Sequence, residues 1–269
     1  MLRVKLSAVY ALALLAAAIG LAGCSSTPTV DKTTTMSPNA IYADAKDSMS
    51  SGQYDKAIPL LEKLEARAAG TPLAQQAQLD KAYAHYKTQE PAQAISTLDR
   101  FMKLHPASPA LDYALYLKGI INFNDDLGMF SAISRQDLSE RDQKASKEAF
   151  ESFKELVTRF PESRYAGDAA QRMNYIIGSL AQYEVHVARY YFKRGAYLAA
   201  VNRAQTAVAD YRDVPALEEA MFLIYKSYEA LGLTQLRDDA KRVLETSYPQ
   251  SEFLSKGEKT KEEPWWKVW

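Results

Sequence analysis

The sequence predicts an all-α fold, a solenoid of about five stacked helix pairs, on three observations. The 269 residues include 41 alanines and 17 tyrosines but only 11 glycines and 11 prolines. Both breakers fall below their usual shares of about 7% and 5%, a balance that favours helix. A small residue leading an apolar run at helical spacing recurs along the chain. Gly52 and Gly195 open two of these runs, and Pro106 and Pro161 close two others, the punctuation of helix ends. An apolar fraction of 47% with 25% charged residues suits a globular chain and excludes global disorder, collagen-like and low-complexity classes. Thirty-three basic residues balance 33 acidic ones, so there is no bulk attraction to a polyanion and no nucleic-acid partner is expected. One cysteine supports neither an intramolecular disulfide nor a thiolate metal cluster.

Residues 1–23 read as an export signal. Arg3 and Lys5 precede an uncharged stretch from Ala8 to Leu21, about 15 residues against the roughly 20 needed to span a bilayer. Leu21-Ala22-Gly23-Cys24 resembles the lipobox of bacterial lipoproteins, which implies that Cys24 is acylated and becomes the first residue of the working protein. Several acyl chains, at about 0.8 kcal/mol per buried CH₂, give a stable anchor. Loss of Arg3 and Lys5 leaves 31 basic residues against 33 acidic ones, a net charge of −2. Serine at position 25 implies, by the same resemblance, delivery to the outer membrane on its periplasmic leaflet. Residues 24–39, rich in Ser, Thr and Pro, read as a flexible tether. About 15 such residues reach roughly 20 Å.

The repeated units follow. Gly52-Gln53-Tyr54-Asp55-Lys56-Ala57-Ile58, with Leu61 and Leu64, resembles the second helix of a tetratricopeptide repeat. Ala94-Ile95 with Leu98 and Phe101, Ala149-Phe150 with Phe153 and Leu156, Ala200-Val201 with Ala204, and Ala240 with Val243 and Leu244 repeat it. These alanines are spaced by 37, 55, 51 and 40 residues, against about 34 for that repeat. The first excess is an expected insertion in the third repeat, between Asp125 and Lys144. The second is assigned to an additional long helix over Tyr165 to Tyr183 that joins two halves, residues 40–164 and 165–248. Residues 249–269 form a charged, Trp-rich tail. Helix pairs that cannot bury their apolar faces alone must stack. The likeness to tetratricopeptide repeats implies that first helices line a concave groove, with Tyr42, Met49, Leu79, Tyr83 and Tyr86 facing a peptide. Aromatic rings with a polar tip suit that task.

No catalytic constellation is expected, nor a metal or cofactor. His85, His105 and His186 fall in different repeats without the i, i+4 spacing of a helical metal pair, and read as structural. There is no Gly-rich phosphate loop and no Gly-x-Ser-x-Gly elbow. The carboxylate pairs Asp125-Asp126, Glu218-Glu219 and Asp238-Asp239 are consecutive, so on a helix they diverge and read as solvated surface charge.

The lipobox at Cys24, Ile41-Tyr42-Ala43-Asp44-Ala45, Asp99-Arg100-Phe101, Ser139 to Asp142, and Tyr190-Tyr191-Phe192-Lys193-Arg194-Gly195-Ala196-Tyr197 with Val201-Asn202-Arg203 together resemble the BamD (ComL) family of the β-barrel assembly machinery. The likeness runs to about Ser247. It implies a non-enzymatic outer-membrane lipoprotein whose N-terminal repeats engage the C-terminal strand of unfolded outer-membrane proteins. Its C-terminal repeats would dock on a POTRA domain of the barrel subunit BamA, within a complex that holds other Bam lipoproteins. Arg203 matches the family position that pairs with an acidic residue of that domain, with Asn202 beside it and Arg194 one turn or two before it in the same repeat. The run Arg67-Ala68-Ala69-Gly70-Thr71-Pro72-Leu73 departs from the aromatic, proline-rich turn of relatives, and the ending Trp265-Trp266-Lys267-Val268-Trp269 has no counterpart there. The alternative is a periplasmic scaffold lipoprotein that organises peptidoglycan synthesis or cell division.

Overall fold

A computed structural model describes residues 32–123 and 143–256. Within them a 3₁₀ turn, Lys32–Thr35, precedes eleven α-helices: α1 (Pro38–Ser50), α2 (Tyr54–Arg67), α3 (Pro72–Lys87), α4 (Pro91–Leu104), α5 (Leu111–Phe123), α6 (Gln143–Arg159), α7 (Ala166–Lys193), α8 (Tyr197–Asp210), α9 (Ala216–Ala230), α10 (Thr234–Ser247) and α11 (Glu252–Lys256). From α1 to α10 each helix packs on its neighbours in sequence, giving five pairs, α1/α2 through α9/α10, while α11 packs on α9. This is the expected number, with α11 as an addition.

Local chemistry explains the helix starts. Ser37 and Thr71 accept the backbone N–H of Ala40 and Ala74 through their hydroxyls, each followed by a proline at the first helical position, where a missing N–H costs nothing. The turn inside four pairs is the same device. One residue takes a left-handed conformation, and the next donates its N–H to the carbonyl five residues before it, as Gln53 does to Ser48 and Glu90 to His85, which satisfies orphan carbonyls. Those left-handed residues are Gly52, Gln89, Gly195 and Gly232. The third pair's turn lies outside the described residues, as does the expected insertion between Asp125 and Lys144, save its last two positions.

The close-packing alanines sit five residues after that turn residue. Ala57, Ala94 and Ala200 are fully buried there. In the last pair the same register falls on Arg237, so Ala240 is not the equivalent position that sequence spacing assigned to it. The turn-to-turn distance from Gly195 to Gly232 is 37 residues, as from Gly52 to Gln89, and the apparent spacing of 40 came from choosing the wrong alanine.

The 51-residue spacing has a different cause from the one expected. No separate joining helix exists among the described residues. Ala166–Lys193 is one unbroken helix of 28 residues, the first helix of the fourth pair, and it packs on α6, α8 and α9. At the other end, the residues assigned to the tether are attached to the body from position 33 onward. Thr33 is buried and its carbonyl accepts from Arg67, and Met36 packs on the first core cluster. The tail assignment also began too early, since Phe253 is buried against Phe222 with ring centroids 5.4 Å apart.

Candidate functional site

The first helices of the N-terminal pairs frame a cleft of about 460 Å³. Its walls are Gln76 and Asp80 of α3, Asp112 and Tyr113 of α5, and Arg164 and Tyr165 from the turn before α7. Gln76, Asp80 and Tyr83 are spaced to share one face of α3, and the α5 face beside them repeats the theme with Tyr113 and Tyr116.

Asp80 is the anchor of the α3 wall. It is only 7% exposed, and a buried carboxylate needs partners. It has three: the Tyr42 hydroxyl donates at 3.0 Å, Lys46 Nζ lies at 3.4 Å and Gln76 Nε2 donates at 3.1 Å. Burial first, and the negative Asp80 second, push the Tyr42 phenol up to about 12. It therefore stays a hydrogen-bond donor at neutral pH.

The opposite wall is an aromatic stack. Tyr116 lies parallel on Tyr165 with centroids 4.6 Å apart, Tyr113 approaches the same ring at 5.7 Å, and the Arg164 guanidinium covers it at 4.8 Å. The Tyr116 hydroxyl donates to Asp168 at 2.8 Å, and Arg172 donates to the same carboxylate at 2.7 Å. Burial works against ionisation of Asp168, but these two bonds outweigh it and hold its carboxyl below the usual range. Burial pushes the Tyr113 phenol well up. Asp112 accepts from Ser163 Oγ at 2.7 Å, which fixes the turn that carries Arg164. Arg164 gives one of its five donors to Tyr165, leaving a planar cation at the rim suited to a carboxylate or peptide carbonyl.

The groove residues expected from sequence divide. Tyr42 contributes through Asp80. Tyr83 and Tyr86 are half-buried, with Tyr83 edge-on to Tyr54 at 6.0 Å and 6.5 Å from Tyr86, so they extend the same face while also joining helices. Leu79 is a correction. It is 2% exposed in the core with Ala82, Leu98 and Phe101 and gives the cleft only its floor. Met49 is likewise a core residue. Asp80, Tyr113, Arg164 and Tyr165 were missed. Tyr113 and Tyr116 repeat the spacing of Tyr83 and Tyr86 thirty residues later, a signal that could have found Tyr113.

In the C-terminal half, Arg194 caps α7 and stacks on the exposed ring of Tyr190 at 5.5 Å. Asn202 is exposed on α8. Arg203 is engaged within the chain: its Nη1 lies 3.1 Å from Glu184 Oε2, a carboxylate buried on α7. Its first partner is therefore internal. Glu219 corrects the reading of the carboxylate pairs as solvated, because it pairs with Arg189 across α9 and α7 and both are largely covered. Asp238 and Asp239 pair with Arg237 and Arg242 at the surface. Among the histidines, His85 Nδ1 lies 2.7 Å from Glu90, and His105 caps α4 beside Phe101.

Among the described residues no group of three or more His, Cys, Asp or Glu is placed to hold a metal, and no helix is long and apolar enough to cross a membrane. Cys24 and Trp265–Trp269 lie outside the described residues.

A solved structure of a putative kinesin light chain with TPR-like repeats is similar at 16% identity and a TM-score of 0.35, covering 81% of this chain and all of that one; the repeat architecture rests on the helix pairs themselves. The outer membrane lipoprotein family YfiO matches residues 34–244. The outer membrane protein assembly factor BamD of Neisseria meningitidis is 44% identical over 262 residues, covering 95% of this chain and 98% of the relative. BamD of Vibrio cholerae is 34% identical over 225 residues, 84% and 92% of the two chains, and that of Haemophilus influenzae 35% identical over 240 residues, 89% and 90%. With lipobox, helix pairs and near full-length identity in agreement, the chain belongs to the BamD family of outer membrane protein assembly factors.

Proposed function

We propose that this chain is a non-enzymatic outer-membrane subunit of the β-barrel assembly complex, anchored by lipid on Cys24 to the periplasmic leaflet. Its N-terminal repeats, residues 40–164, take the C-terminal strand of unfolded barrel precursors. Its C-terminal repeats, residues 165–248, dock on the POTRA region of BamA, with other Bam lipoproteins alongside. Family membership at 44% identity supports the assembly role. The observation that carries the substrate half is the cleft, where a covered aromatic stack meets a rim guanidinium. Such a wall receives an aromatic side chain by stacking, worth about 0.5–1.5 kcal/mol beyond burial, while Arg164 pairs with a carboxylate or carbonyl. Arg194, Tyr190 and Asn202 supply an exposed mixed surface for docking, and Arg203 supports it from behind through Glu184.

Fluorescence anisotropy with a labelled peptide of a barrel protein's last strand tests the substrate half. Tyr113→Ala with Arg164→Glu is expected to weaken binding by about tenfold or more, 1.4 kcal/mol, with helix content unchanged. Equal affinity in the folded variant would overturn the assignment.

A further inference from the structure

The second helix of the last pair carries an apolar face that the described residues leave half covered. On α10, Ala240 and Leu244 are buried, and Phe253 of α11 joins Leu244 and Phe222 in a small cluster. With 3.6 residues per turn, Leu236 and Val243 point the same way, within roughly 60° of Ala240. Yet they are 45% and 44% exposed. In earlier pairs the second helix is covered by the first helix of the next pair, as α2 is by α3 and α8 by α9. Among the described residues α10 has no such successor. Among the described residues, four of the nine exposed large hydrophobics, Leu231 and Leu233 just before α10 and Leu236 and Val243 on it, fall in this one stretch, a concentration unlike scattered single residues.

A segment of the same chain fits that face. The described chain leaves at Lys256, the end of α11, beside the Phe253 cluster. Eight residues then separate it from Trp265, Trp266, Val268 and Trp269. Eight residues extend to at most about 26–29 Å, and the 14 residues of α10 span about 21 Å, so the tryptophans reach any point on the stripe. A linker this short gives an effective concentration in the millimolar range, so even a weak contact is populated within one chain. Terminal units of a solenoid need a cap, and α11 covers only part of the exposed end. We propose that Trp265–Trp269 docks within its own chain on the Leu236–Val243 face of α10 and completes the cap. This goes beyond the assembly role and does not depend on it.

All three tryptophans of the chain lie in this segment, so tryptophan emission reports the tail alone. The test uses the full lipidated chain in phosphatidylethanolamine–phosphatidylglycerol vesicles whose acyl chains are brominated. The expected emission is blue-shifted, protected from acrylamide and not quenched by bromine. Leu236→Asp with Val243→Asp is expected to move it to the red and expose it to acrylamide as fully as free tryptophan. Leu104→Asp, at an exposed leucine of α4, should change neither. Bromine quenching that survives the double substitution would make the membrane the occupant. A shift that appears only at higher protein concentration would make it another copy. Red, fully quenchable emission in the parent would mean no docking at all, and each of these overturns the proposal. If the aspartate variant loses helix content, Leu236→Cys with Trp266→Cys decides: a disulfide within one chain on mild oxidation is expected, and its absence in the folded protein overturns the idea.

Discussion

At the scale of residues, backbone conformation and buried polar groups make the sharpest claims. Gln89 holds the left-handed turn position that glycine holds in three other pairs, with φ of 62°. For a residue with a Cβ that conformation costs about 1–2 kcal/mol, whereas glycine's extra chain entropy costs about 0.5–1 kcal/mol. Gln89→Gly is therefore expected to raise stability by roughly 0.5–1 kcal/mol, read as a higher urea midpoint at unchanged slope. Tyr42 gives a pH signature. Its folded pKa of about 12 stands above the unfolded value near 10, so its stabilisation is complete below about pH 10 and is lost as pH rises towards 12. Tyr42→Phe should flatten the fall in stability over that alkaline window, and a profile identical to the parent would count against the Asp80 contact. Tyr42 was singled out in the sequence as a candidate groove residue. Its partner Asp80 was not, because a single aspartate in a helix gives no sign of burial until the helix beside it is placed.

At the scale of elements, helix contacts decide what each position tolerates. A Cβ at Gly119 of α5 would lie 2.6 Å from Cδ1 of Phe153, a ring with no exposed surface and no room to retreat. Gly119→Ala should destabilise by about 1–3 kcal/mol in chemical unfolding, and a neutral result would contradict the close crossing of α5 and α6. Arg203 and Glu184 tie α8 to α7. Arg203 is half exposed, so solvent screens the pair, and a double-mutant cycle is expected to give a coupling of about 1 kcal/mol or less, with the reversed pair Arg203→Glu/Glu184→Arg more stable than either single change. Zero coupling would return Arg203 to the interface reading implied by family resemblance alone. The helix pairs themselves were readable because alanine registers and turn glycines repeat. The register failed in the last pair, where Arg237 stands in the small-residue position, and in the fourth, where a 28-residue helix stretched the period without adding a unit.

At the scale of the whole molecule, the chain is a row of helix pairs with an aromatic and acidic cleft, an arginine at its rim, among the N-terminal pairs, and with Tyr190 and Arg194 exposed at the end of α7 and Asn202 exposed on α8. The proposed compartment and anchor rest on one cysteine and its neighbours in the sequence. The cleft came only from the fold, since Asp80, Tyr113, Arg164 and Tyr165 span 85 positions of sequence and no local spacing joins them. On the proposed function, the cleft and the exposed C-terminal residues hold different partners. A photo-crosslinking residue placed at Tyr83 or at Asn202 in the cell envelope, with adducts identified by mass spectrometry, tests it most directly. The expected result is adducts with the C-terminal strands of outer-membrane protein precursors from position 83 and with the POTRA region of BamA from position 202. The same partner from both positions, or no precursor adduct from position 83 above the level seen from Leu104, would contradict it.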